Sequence, residues 1–318
     1  CRVKEHEKAG LRPKPPGARG LLALENLDAG KVGGQGWKIY PAGALTLTIL
    51  ERILPRLRCL ACGSPVSRTE KTLECRGCGR GYPVISGIPV LFEADAEEQA
   101  WESYFSRLVS KAGNSEEANS YFSLRSFRLV QKGVFELVGE PENLSILDVG
   151  CGTGHLSGRL VRKNELVGVD ISLQMLTLAG AKGILAVQAS GKRLPFSESS
   201  FDLVLGINIL QSVRDVEPLV KELARVARPN GSIVISTPNG RNAALWLFKL
   251  VERKKYRHLG VYTANELQGF FLSAGCAVTK VLFLHLLGGE ISRQSPQRPP
   301  GFRNSRLATS LVVEARKL

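Results

Sequence analysis

An α/β fold is predicted for this chain: a seven-stranded, mostly parallel sheet with helices on both faces, preceded by a small cysteine-rich module. Three observations carry the prediction. From Leu144 onward, short apolar runs alternate with segments of helical spacing, a pattern that sandwiches strands between two helical layers. The first of those runs ends in Gly150-Cys151-Gly152-Thr153-Gly154, where glycines permit a sharp turn and close approach of a ligand to backbone. Upstream, Cys59-x-x-Cys62 and Cys75-x-x-Cys78 are separated by twelve residues.

The elements follow in order. Strands are predicted near 144–149, 166–169, 184–188, 201–207, 231–236, 277–284 and 307–315, and helices near 154–163, 172–181, 215–227, 241–253 and 263–274. Residues 96–140 carry apolar and aromatic side chains at helical spacing, broken at Gly113-Asn114-Ser115. They read as a helical linker or lid, with Tyr121 a candidate to cover a pocket. Ahead of these, Leu45–Leu57 reads as a short apolar helix. Residues 1–44, rich in Gly, Pro, Lys and Arg, read as disordered or non-native. The chain begins at Cys1 and its one Met is Met175, so 1–52 is left unassigned. The remaining boundaries are 53–95 for the cysteine module, 96–140 for the helical segment and 141–318 for the α/β domain.

Composition narrows the function classes. No run of about 18 apolar residues is present, and the first residues are polar and basic, so neither a membrane span nor a secretory signal is expected. A cytoplasmic location follows as the expectation. The net charge of +14 is concentrated at the ends, +6 from residues 1–58 and +9 from 241–318. Such an excess suits nucleic acid, anionic lipid or acidic substrates, or a solvated basic face.

Both cysteine pairs end in knuckles, Cys62-Gly63 and Cys78-Gly79, where glycine lets backbone N–H groups turn toward thiolates. Two such pairs suit one tetrahedral zinc ion held by Cys59, Cys62, Cys75 and Cys78. With four protein ligands that metal is structural, because a catalytic zinc keeps an open position. Two disulfides or a redox pair are the alternatives, disfavoured in an intracellular chain.

The glycine turn is a cofactor cradle. Asp148 lies two residues before Gly150, and the second strand ends at Asp170, twenty residues beyond Gly150. At that distance a carboxylate can accept both hydroxyls of a ribose; it can equally cap the next helix, as can Ser172. The spacing differs from the G-x-G-x-x-G of dinucleotide sites. Asp-x-Gly-x-Gly-x-Gly over 148–154 resembles motif I of class I S-adenosylmethionine (SAM)-dependent methyltransferases of the type 11 kind. Three later blocks are similar to the same family: the strand ending at Asp170, Val187–Asp202, and Glu222–Asn239. The resemblance implies a Rossmann-like fold and SAM held by Asp148, Gly150, Cys151, Gly152, Gly154, Asp170, Ile171, Ala189, Ser190 and Asn208. One departure stands out. Ser190 occupies a position that is usually acidic and bonds the adenine amino group; a hydroxyl accepts that bond without charge. Where some quinone O-methyltransferases carry Glu-x-x-Glu-His for a metal, this chain has Asn208, Gln211 and Ser212, so no catalytic metal is expected there.

The tail Gly81–Phe92 resembles the small zinc-ribbon protein that activates eukaryotic and archaeal methyltransferases. It implies a docking or substrate-presenting module, open to a protein partner. For the reaction, in-line displacement at the SAM methyl needs alignment, desolvation and removal of a proton from a hydroxyl or amine. Weak candidates for orienting the acceptor or taking that proton are Asn208, His258 and Tyr262, with His155 behind them. The run Arg257–Leu267 resembles the substrate side of quinone and lipid methyltransferases, favouring a small-molecule acceptor: a quinone, a lipid-linked precursor or a secondary metabolite. The basic amphipathic stretch Trp246–Tyr256 suits peripheral contact with an anionic membrane. A second reading is RNA. Ala189–Ser197 and an N-terminal ribbon also resemble bacterial guanine methyltransferases of ribosomal RNA, and the basic C-terminal segment suits phosphates. A third is a non-catalytic SAM-binding scaffold.

Overall fold

The structure, a computed structural model, describes residues 50–69, 72–115, 123–245, 247, 260–296 and 306–318. Tyr40–Leu318 forms one compact unit by internal contacts; Cys1–Ile39 falls in another, outside the described residues. Of the predicted Leu45–Leu57 helix, residues 50–53 are helical and Leu54–Arg56 tighten into a 3-10 turn with Pro55 near its start.

Four short strands follow: β1 (Val66–Arg68), β2 (Thr72–Cys75), β3 (Gly81–Ile85) and β4 (Ile88–Leu91). Helix α1 (Ala96–Ala112) starts at a capping box in which the Asp95 carboxylate accepts from Glu98 N and the Glu98 carboxylate from Asp95 N, so two orphan amides are satisfied reciprocally. It stops at Gly113, whose φ of +59 is open to glycine. Helix α2 (Leu124–Val138) is capped by Ser123. The alternating part is β5 (Ser145–Val149), β6 (Glu165–Asp170), α3 (Leu173–Gly180), β7 (Leu185–Ala189), β8 (Phe201–Ile207), α4 (Val216–Val226), β9 (Ala227–Pro238), α5 (Ala264–Ser273), β10 (Cys276–His285), β11 (Glu290–Gln294) and β12 (Ser310–Lys317).

Among the described residues the strands form one sheet of twelve, not seven, in the order β1-β2-β3-β4-β7-β6-β5-β8-β9-β12-β10-β11. The centre is parallel as predicted, β7-β6-β5-β8-β9, with β12 and β10 antiparallel beside it. Two additions enlarge it. Strand β4 pairs parallel with β7, Val90 opposite Gln188 and Leu91 opposite Ala189, so the cysteine module continues the sheet edge. At the far side β11 folds back on β10. An edge strand offers unpaired N–H and C=O groups that another strand can satisfy.

Side chains alternate along each central strand and build a core on either face. Leu147, Val149, Val167 and Val187 face α4 and α5 in a cluster that includes Leu57, Leu73 and Leu91 of the cysteine module. Ile146, Leu166, Leu203 and Leu205 face α2 and α3. The predicted helix at 154–163 is absent: only Ser157–Arg159 form a 3-10 turn, and Leu160 N donates to Ser157 O. Glycines at 154 and 158 weaken helical propensity there, and Leu156 and Leu160 are buried without it. The predicted helix 241–253 lies largely outside the described residues. No helix among those described is long and apolar enough to cross a membrane.

Candidate functional site

The carboxyl ends of β5, β6, β7 and β8 surround an apolar cleft, the place where open α/β sheets bind ligands. Asp148, Gly150, Cys151, Gly152, Asp170, Ile171, Ala189 and Asn208 all line it. Gly154 is set behind the turn: a Cβ there would come 2.4 Å from Ile184 Cδ1, and its φ is +72. Gly150, at φ +75, has a more exposed reason to be glycine, since a Cβ would meet Ile209 at 3.1 Å on the cleft wall.

The turn is held against β6. Gly150 N and Cys151 N both donate to Val169 O, at 2.7 and 3.1 Å. Gly152 N donates to Asp170 Oδ2 and Ser172 N to Asp170 Oδ1, both at 2.9 Å. Asp170 thus orders the glycine turn and the start of α3, while Ser172 provides the helix cap. The two readings of Asp170 from sequence are therefore compatible.

Burial raises the pKa of Asp170, against its backbone hydrogen bonds. Asp148 is pushed up to about 7 by burial, with the Asp170 charge adding to the effect and Ser157 opposing it. The sign follows. An unfolded aspartate loses its proton near pH 4, the folded Asp148 near 7. Between those values the folded state binds more protons, so stability falls as pH rises, by about 1.4 kcal/mol per pH unit, and levels off above. Asp148→Asn is expected to be isostable with wild type near pH 4 and more stable by several kcal/mol at pH 8. Thermal unfolding across pH 4–8 measures it; a gap constant with pH would refute a protonated Asp148.

Asn208 follows β8 at φ +56, a left-handed conformation that asparagine adopts more readily than most residues. Its Oδ1 accepts from Ser236 Oγ at 3.1 Å, and its backbone N donates to the same oxygen at 3.0 Å. Ser236 thus fixes the orientation of a side chain that lines the cleft. Tyr262 does not line the cleft: its hydroxyl donates to Val213 O at 3.5 Å and its ring meets Phe270 edge-on. His155 pairs through Nε2 with Asn114 O at 2.8 Å. His258, Tyr121 and nearly all of 246–256 lie outside the described residues.

Helix α1 lies in the 96–140 segment expected as a helical linker or lid, but the pocket-covering residue expected there from sequence was Tyr121 and not the α1 side chains. Glu98, Trp101 and Phe105 form one helical face that lines the cleft. Ser190 does not line it; its hydroxyl donates to Glu98 Oε1. Lys192 pairs with Asp95 and lies 3.6 Å from Glu98 Oε1. The readable signal was the capping box at Asp95 and Glu98.

The four cysteines of the N-terminal module converge. Their sulfurs all lie within 4.8 Å of one another, with Cys59 to Cys78 at 3.7 Å and Cys62 to Cys75 at 3.4 Å. None is disulfide-bonded. Ala61 N and Gly77 N each approach a cysteine sulfur at 3.3 Å. Tyr82 Oη accepts from Leu60 N at 2.9 Å and so donates to Cys59 Sγ at 3.1 Å. The group can hold a metal ion.

Residues 147–235 match the family model described as a methyltransferase domain, and the fold is that of the class I SAM-dependent methyltransferases. The chain superposes on a SAM-dependent methyltransferase of Thermotoga maritima, a possible histamine N-methyltransferase, with a TM-score of 0.53 and 20% identity, over 67% of this chain and all of that one. Among curated proteins it is 30% identical over 149 residues to a demethylmenaquinone methyltransferase of Bacillus licheniformis, covering 44% of this chain and 62% of that protein. A demethylmenaquinone methyltransferase of Mycolicibacterium paratuberculosis is 26% identical over 202 residues, 57% of this chain and 88% of the other. A ubiquinone biosynthesis O-methyltransferase of Idiomarina loihiensis is 32% identical over 117 residues, 33% and 46% respectively. The chain spans 62%, 57% and 54% of the length of three of the curated relatives it matches.

Proposed function

We propose that the chain transfers a methyl group from SAM to a small molecule of quinone-like or lipid-linked type. One observation carries the reading: the Asp148–Gly152 turn, hydrogen-bonded to the Asp170 carboxylate, lines with it an apolar cleft at the carboxyl ends of parallel strands, where such folds bind ligands. The similarity to quinone methyltransferases supports the acceptor class. SAM, when bound, supplies an electrophilic methyl on a sulfonium. The chain's own residues do the rest. Asp170 accepts from ribose hydroxyls; Gly150 lets the donor approach the backbone; the apolar wall of Ile207, Ile209 and Val213 excludes water. Asn208, oriented by Ser236, holds the acceptor in line. In this reading Cys59, Cys62, Cys75 and Cys78 hold a structural zinc ion. A tetrahedron with Zn–S near 2.3 Å requires sulfurs about 3.8 Å apart, and the spacings of 3.4 and 3.7 Å support that fit.

RNA is the competing acceptor; of the basic C-terminal segment that suggested it, 246, 248–259 and 297–305 lie outside the described residues. The test incubates the protein with methyl-labelled SAM and fractionated lysate. Label is expected in the organic extract. Label in RNA, with binding that weakens steeply with salt, would replace the small-molecule reading. Absence of calorimetric binding to S-adenosylhomocysteine would reject methyl transfer altogether.

A further inference from the structure

We infer that Glu98, on α1, is the acceptor for the amino group of the donor's adenine, doing from another element what the residue at 190 lacks the charge to do. This rests on the SAM reading above. Strands β6 and β7 are neighbours, with Asp170 opposite Gln188, so their ends lie about 4.8 Å apart. A ribose gripped at Asp170 directs its base toward Ile171, Met175 and Ala189, the apolar part of the wall. An adenine there presents one donor group, its exocyclic amine, and needs an acceptor.

Glu98 is the carboxylate at that end of the cleft. It is 9% exposed and lines the cavity. Oε1 accepts from the Ser190 hydroxyl, and Oε2 accepts from Asp95 N at 3.2 Å. A carboxylate has about four lone-pair sites, so two remain. Lys192 Nζ lies 3.6 Å from Oε1. The Ser190 bond fixes the carboxylate over the end of β7. Ser190 is thereby a positioning residue: its hydroxyl donates to Glu98 and is not left to accept from the base. Trp101 and Phe105 stand three and seven positions beyond Glu98, on the same face of α1. Their rings stack with centroids 5.6 Å apart and add an aromatic surface beside the base. The donor pocket is therefore closed by a helix that lies outside the matched 147–235 domain.

The prediction is a preference for adenine over a base with the same shape and no amine. Calorimetry with S-adenosylhomocysteine and S-inosylhomocysteine, whose 6-oxo group accepts where the amine donates, reads it directly. Wild type is expected to bind the adenosyl compound at least tenfold tighter, because a charged acceptor facing a carbonyl leaves a buried group unpaired. Glu98→Gln keeps side-chain length and the capping box and is expected to bring the two affinities within about twofold. Adding Ser190→Asp to that variant returns a carboxylate to the site and is expected to restore the preference. Equal binding of both compounds by wild type overturns the assignment, as does an unchanged preference in a folded Glu98→Gln protein. If wild type binds neither compound, the SAM reading itself fails, which is a separate result.

Discussion

Asp170→Ala is expected to weaken binding of S-adenosylhomocysteine about 100-fold and to raise KM for SAM by a similar factor, with a much smaller change in kcat. The carboxylate makes two kinds of contact at once. It accepts Gly152 N and Ser172 N, and in the proposed complex it accepts the ribose hydroxyls. Removing it strands two buried donors, at about 1–3 kcal/mol each, and loosens the turn that shapes the cleft. The ribose is gripped equally before and during transfer, so the loss falls on binding more than on the chemical step. Offsetting this, burial penalises the Asp170 charge, so the variant's thermal stability is expected to fall only modestly. Calorimetric titration with initial-rate kinetics decides it; a Kd within threefold of wild type would remove Asp170 from the donor site.

Stripping the cysteine cluster of metal is expected to lower Tm by more than 10 °C and to weaken donor binding with it. A structural zinc contributes about 10–16 kcal/mol of apparent folding energy in small modules, and about 1 kcal/mol moves Tm by 2–4 °C in a domain of this size. The effect should not stay local. Leu57, Leu73 and Leu91 share a core cluster with Val187 and Leu185, and β4 is hydrogen-bonded to β7. Loss of the cluster would expose that edge and release the start of α1, where Glu98 reaches Ser190. Calorimetric unfolding with and without a zinc chelator, alongside metal analysis and a Cys75→Ser variant, measures it. An unchanged Tm after metal is removed would show that the core packing alone holds the module.

Much of this was legible in the chain as written, because it depends on neighbours in sequence. Strand positions followed from apolar runs, and the glycine turn from residues that adopt φ values of +75 and +56, at 150 and 152, with least steric cost. The grouping of the four cysteines followed from spacing that suits one ion. The helix expected at 154–163 failed for a local reason, glycines at 154 and 158 in a segment whose leucines are buried by the turn alone.

What sequence could not reach is long-range pairing. An edge strand carries no mark of its partner, so the parallel match of Ile88–Leu91 with Leu185–Ala189, and with it four of the five strands beyond the predicted seven, appears only in three dimensions. The same holds for position 190. In sequence a serine replaces an acid; in space a glutamate 92 residues earlier meets that serine. Local propensity and spacing determined the parallel strands, the turn and the thiol cluster, because those are short-range steric and ligand-geometry constraints. Tertiary packing decided which distant side chains close the cleft, because hydrogen bonds and apolar contacts are set by proximity in the fold, to which separation along the chain is no guide.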